Sequence, residues 1–134
     1  MAGYSGTPLV TKLGIKPGTA IALLGAPDGF DDLLIGMPEG VAVRRRTQGA
    51  LDLVVTFQVD RSMLEKRLPT ILRALRRDGS IWVAWPKKAS KVRTDITEDT
   101  VREVVLPIGL VDVKVCAIDE TWSGLKVVWR RENR

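Results

Sequence analysis

Four groups of residues in this 134-residue chain have side chains and spacing that could do chemistry. Trp85-Pro86-Lys87-Lys88, with Lys91 and Arg93, puts four cations and no acid between positions 87 and 93. Lys87 and Lys88 can hold a phosphate or carboxylate while Trp85 stacks on a base or packs a lid. The competing reading is a solvated basic loop beside a core tryptophan. Arg44-Arg45-Arg46 offers guanidinium forks that clamp phosphate, or else charges that protect a strand edge. Asp119-Glu120-Thr121-Trp122-Ser123-Gly124 holds two acids and an aromatic ring. The acids could pair with Lys87 or Lys88 or act as an acid–base couple; a tight turn with an aromatic anchor is the alternative. Gly25-Ala26-Pro27-Asp28-Gly29 can bring backbone N–H groups close to an anion, although Asp28 would repel a phosphate. The candidate ligand-binding residues are therefore Gly25, Arg44, Trp85, Lys87, Lys88, Asp119, Glu120 and Trp122.

What the chain lacks narrows the chemistry. It has no histidine and a single cysteine, Cys116. That removes a Ser-His-Asp triad, a structural zinc site and any internal disulfide framework. No catalytic residue and no metal ligand is assigned. One cysteine suits a reducing cytoplasm. No apolar run approaches the length of a membrane span, and the first residues lack the basic and apolar regions of a secretory signal. The net charge of +5 favours anionic partners. It falls short of a dedicated nucleic-acid binder, and the C-terminal alternation of apolar and basic residues carries no RNA-binding aromatic signature. The expected partner is an anionic small molecule or nucleotide, or else an acidic protein. A strand edge pairing with another chain, in a homo-oligomer or a hetero-complex, is a further option.

The elements that must position these residues are read from periodicity and turn chemistry. Residues 1–7 read as loose, and the rest as one domain. A short helix is expected over 8–14, a doubly buried strand over 20–24, and a short helix over 29–36 capped by Asp28. A strand at 41–44 follows, and another begins near Leu51 and carries the run 53–57. Ser62 and Glu65 suggest a capping box for a helix with Leu64, Leu68, Ile71, Leu72 and Leu75 on one face, kinked or broken at Pro69 and stopped by Asp78-Gly79. A strand at 81–85 opens into a polar loop, 87–94. Thr97 caps a helix with Val101, Val104, Val105 and Ile108 on its apolar face, ended by Pro107-Ile108-Gly109. Strands at 111–118 and 125–130 close the chain as an antiparallel hairpin.

This order of elements resembles a reduced Rossmann-like methyltransferase domain. Gly79-Ser80-Ile81-Trp82-Val83-Ala84-Trp85 looks like the strand after that family's central helix, and the final strand pair looks like its closing hairpin. The resemblance implies an α/β fold: a mostly parallel sheet with a C-terminal antiparallel hairpin and helices on both faces. The chain also resembles a small, mainly actinobacterial family of unassigned activity. The motifs are Gly3-Tyr4-Ser5-Gly6-Thr7-Pro8-Leu9, Leu13-Gly14-Ile15-Lys16-Pro17-Gly18, Trp82-Val83-Ala84-Trp85-Pro86-Lys87-Lys88-Ala89-Ser90 and Asp119-Glu120-Thr121-Trp122-Ser123-Gly124-Leu125.

Two departures bear on activity. The methyltransferase loop after the first strand is close to G-x-G-x-G; here Pro27 removes a donor N–H from it. The second strand of that family ends in an acid for ribose hydroxyls; here it ends in Arg44-Arg45-Arg46. The chain also jumps from Arg46 to Leu51 where a strand and its helices would lie, which leaves the direction of the 41–44 strand open. These points imply a non-catalytic binding module with a cationic strand-end edge and no cofactor. The alternative is a minimal S-adenosylmethionine-dependent methyltransferase.

Overall fold

Apolar runs too short for helices become the strands of one six-stranded sheet in the computed structural model, which describes residues 7–134. Residues 1–6, most of the segment expected to be loose, lie outside the described residues, and with them the first four residues of the motif beginning at Gly3. The strands are β1 (Ala20–Leu24), β2 (Ala42–Arg44), β3 (Leu51–Phe57), β4 (Leu75–Pro86), β5 (Leu110–Ala117) and β6 (Trp122–Trp129), in spatial order β2-β1-β3-β4-β6-β5. The first four run parallel, and β6 is antiparallel to both β4 and β5. This is the mostly parallel α/β sheet with a closing hairpin that the sequence suggests.

The helices cover both faces. On one face α2 (Arg61–Ala74) and α3 (Glu98–Val105) bury Leu64, Leu68, Ile71, Val101, Val104 and Val105 against Val54, Ile81 and Val83. On the other, α1 (Leu9–Leu13) and a 3-10 turn (Phe30–Leu33) bury Leu13 and Phe30 against Leu23, Val55 and Trp82. The Trp82 indole is fully buried and its Nε1 donates to the Leu13 carbonyl at 2.9 Å, tying α1 to the sheet.

The open direction of β2 resolves as parallel to β1. The reason is length. β2 has three residues, and Arg44 lies level with Ala22 and hence with Val54. The chain therefore has to return only three residue levels, about 10 Å, before β3 starts. Residues 45–50 do this without a helix.

Four local expectations change. The helix expected over 29–36 is only the 3-10 turn, because Phe30 is drawn into the core at once and Leu34 closes onto the Asp31 carbonyl. The Ser62–Glu65 box does not form: the N-cap position is Asp60, two residues earlier, and the Asp95 carboxylate accepts from the Arg61 N–H at 2.7 Å instead. Pro69 does not break α2 into two turns; it and Glu65, whose carbonyl loses its donor, are exposed, so water can satisfy that oxygen. Helix α2 stops at Ala74 rather than at Asp78-Gly79. Leu75 joins the sheet opposite Leu51, residues 76–79 bulge, and pairing resumes at Ser80. Thr97 does cap α3, accepting from the Thr100 N–H at 3.2 Å.

Candidate functional site

In a parallel sheet, the crevice that takes a ligand lies where consecutive crossovers leave in opposite directions. Here the chain leaves β1 outward to β2, and leaves β3 the other way to β4. The crevice is therefore between the carboxyl ends of β1 and β3. Gly25 follows β1 with φ +70°, and a Cβ on it would lie 3.3 Å from the Phe57 carbonyl. Only glycine lets the loop run that close to the end of β3 in that conformation. Phe57 stacks edge-on with Phe30 (centroids 4.9 Å apart) and with Trp122 (5.1 Å), an aromatic wall on the α1 face in which Phe30 and Phe57 are buried and Trp122 is partly exposed. On the other side Thr56 and Gln58 are buried polar residues, with Gln58 Nε2 donating to Thr56 Oγ1 at 2.8 Å. Aromatic walls, a glycine-opened loop and a buried amide–hydroxyl pair suit a flat, nucleoside-like ligand.

The candidate residues fall in three places around this edge. Gly25 is at the crevice and also borders a groove of about 250 Å³ over β1, shared with Arg45, Arg46 and Arg67. Arg44 does not face that groove; its Nη1 donates back to the Gln48 carbonyl at 2.9 Å. Trp85 is buried among the α2–α3 core residues. With Lys87, Lys88, Thr97 and Ser123 it borders a second, shallow cavity of about 420 Å³. The third place is the β5–β6 turn. Asp119 Oδ1 accepts from the backbone N–H groups of Thr121 (2.8 Å) and Trp122 (2.7 Å), so its carboxylate holds the turn. Glu120 is exposed, and Trp122 belongs to the aromatic wall. The turn also anchors the lysine loop, since the Lys87 N–H donates to the Thr121 carbonyl at 2.7 Å.

Charge is unevenly spread. Arg45 forms a two-pronged pair with Asp31, whose carboxyl is held below its ordinary range by the Arg45 hydrogen bonds. Arg102 is raised further above its usual value by hydrogen bonds to Asp112 and Glu98, tying α3 to β5. Among the described residues no group of histidine, cysteine, aspartate and glutamate is placed to hold a metal, and no helix is long and apolar enough to cross a membrane.

The sequence places Gln58 at the carboxyl edge after the 53–57 strand, but it does not single out Thr56, Phe30, Arg67 or Thr70. Arg67 and Thr70 sit mid-helix in polar surroundings that look like a solvated face. Phe30 was visible as the apolar residue after the loop and Phe57 as the end of the 53–57 strand, and only the fold brings the two rings together.

Against solved structures, the chain is similar to an S-adenosylmethionine-dependent methyltransferase from Aquifex aeolicus (TM-score 0.64, 13% identity, 89% of this chain and 86% of that one). It is also similar to a ribosomal protein L11 methylase from Lactobacillus delbrueckii subsp. bulgaricus (0.60, 13%, 92% and 75%). A third is the magnesium protoporphyrin IX methyltransferase of Synechocystis, solved with bound S-adenosylmethionine (0.59, 12%, 91% and 74%). At these identities the likeness establishes the fold alone, a Rossmann-like α/β sheet of the kind methyltransferases have. No protein-family model and no curated protein matches the sequence.

Proposed function

We propose that this chain is a reduced S-adenosylmethionine-dependent methyltransferase that takes its nucleoside-bearing ligand in the crevice between β1 and β3. One observation carries the reading. At the switch point of a methyltransferase-like sheet, Gly25 turns with φ +70° against the Phe57 carbonyl beside the Phe30–Phe57–Trp122 wall. The protein's own part is to orient and desolvate the ligand: Trp122, the partly exposed ring of the aromatic wall, offers a face for a base, and Gln58, held from behind by the fully buried Thr56, offers a hydrogen bond for its edge or sugar. No general base is assigned, which suits a reaction driven by positioning two bound reactants. Calorimetric titration with S-adenosylhomocysteine tests it. Saturable binding that Gly25→Ala weakens supports the reading. No binding by the natural sequence overturns it.

A second reading, a non-catalytic module for an anionic molecule or acidic partner, draws on a different place. The cavity beside Trp85, Lys87 and Lys88 supports it, as does Arg44 standing where the family has an acid. Replacing Lys87 and Lys88 by alanine then abolishes binding of the anion without unfolding the chain, and unchanged binding refutes it. On the motifs around Trp82–Ser90 and Asp119–Leu125, we further assign the chain to the small, mainly actinobacterial family named above.

A further inference from the structure

We infer that the groove on the α2 face of β1 is a separate binding site for a small phosphomonoester, with Arg46 and Arg67 as the anion-holding pair. This goes beyond both readings above: of the residues in them, only Gly25 borders the groove.

The groove exists because the β2–β3 crossover has no helix. A parallel crossover normally lays a helix on the sheet. Here residues 45–50 cross alone and leave a gap of about 250 Å³ beside α2. Leu24 and Ile71 give it an apolar floor; Thr47 and Thr70 bring hydroxyls to its wall; Arg46 enters from the crossover and Arg67 from α2. No acid lines it.

The arginines are not equivalent. Arg45 is engaged by Asp31 on the outer rim. Arg46 holds only the Gln48 side chain, through Nε at 3.2 Å, so its two terminal nitrogens carry no bond among the described residues. Arg67 has no hydrogen bond or ion pair among them. Two guanidinium forks approaching from different elements, with hydroxyls beside them, match the oxygens of a phosphate better than point-like ammonium groups would. The volume accommodates a phosphate with a sugar or short carbon chain over Leu24 and Ile71, and it is too small for a dinucleotide.

Titration of the isotope-labelled protein with ribose 5-phosphate, followed by backbone amide resonances, tests this. The inference expects saturable shifts at Arg46, Thr47, Arg67 and Thr70. Arg67→Gln, an exposed helix position, should weaken binding about tenfold with an otherwise unchanged spectrum. Asp31→Asn frees Arg45 and should tighten binding a few-fold. Ribose without phosphate should not bind, and inorganic phosphate should bind more weakly than the sugar phosphate. No saturable shift up to about 20 mM overturns the site. So does equal binding by Arg67→Gln, and equal binding of inorganic phosphate overturns the phosphomonoester assignment. S-adenosylhomocysteine binding is read at residues 56–58 in the same spectra, so failure of the crevice reading and failure of this site are distinguishable.

Discussion

Trp82→Phe is expected to cost about 2–4 kcal/mol of folding stability, from two sources. Trp82 is fully buried and gives its indole N–H to the Leu13 carbonyl. Phenylalanine leaves that carbonyl, on a residue itself fully buried, without its donor, a loss of about 1–3 kcal/mol. The smaller ring also leaves roughly 40 Å³ of space, which adds about 1 kcal/mol at the usual cost per cavity volume. Neighbouring Gly124 limits collapse into that space, because a Cβ there would already lie 3.1 Å from the indole. For a chain of this size the melting temperature should fall by roughly 8–16 °C. Urea unfolding followed by circular dichroism measures the loss directly: the midpoint should move down with an unchanged slope. Hydrogen exchange should speed most in α1, the element this bond ties down. A loss below about 1 kcal/mol, or unchanged protection in α1, would refute the claim that the indole anchors that helix.

Gly79→Ala should destabilise by about 1–3 kcal/mol, because a Cβ would meet the Asp52 and Arg76 carbonyls at 2.9 and 3.0 Å, and backbone cannot step aside; urea unfolding reads the loss. Lys126 is held below its ordinary value by burial first, then by Lys114 and Lys16. The unfolded chain therefore binds more protons between that lowered value and 10.5, and this group's destabilising effect fades as pH rises through that window. Lys126→Met should raise the melting temperature at pH 7, with the gain shrinking toward pH 10.5; a pH-independent gain contradicts the linkage. Burial pushes the Cys116 thiol up, outweighing Lys12 and Lys114. Alkylation at pH 8 should therefore run more slowly than for a free thiol, and an equal rate contradicts this.

The strands were legible where hydrophobicity was continuous: Ala20–Leu24 and the 53–57 and 81–85 runs are buried on both faces, and such runs declare themselves. Strand direction was not legible at β2, because three residues carry no periodicity and only the register against β1 decides it. The end of α2 was misplaced because Leu75 fits an apolar helix face and a buried strand equally well. At the site, the carboxyl edge and Gly25 could be read from the order of elements. Side-chain direction could not. Arg44 turns back to Gln48, Asp119 turns onto its own loop, and Arg67 reaches a groove that exists only because a helix is missing. The positive charge was visible in the composition, but that Arg45 is paired depends on where Asp31 lands, and that Arg67 has no ion pair among the described residues depends on the fold around α2.

The most direct test of the central claim is an amide-resonance titration of the labelled protein with S-adenosylhomocysteine. The account predicts saturable shifts concentrated at residues 24–29 and 56–58, with the Trp122 indole N–H moving alongside them. Shifts absent up to about 1 mM, or confined to the Lys87–Lys88 loop, would contradict a nucleoside site between β1 and β3.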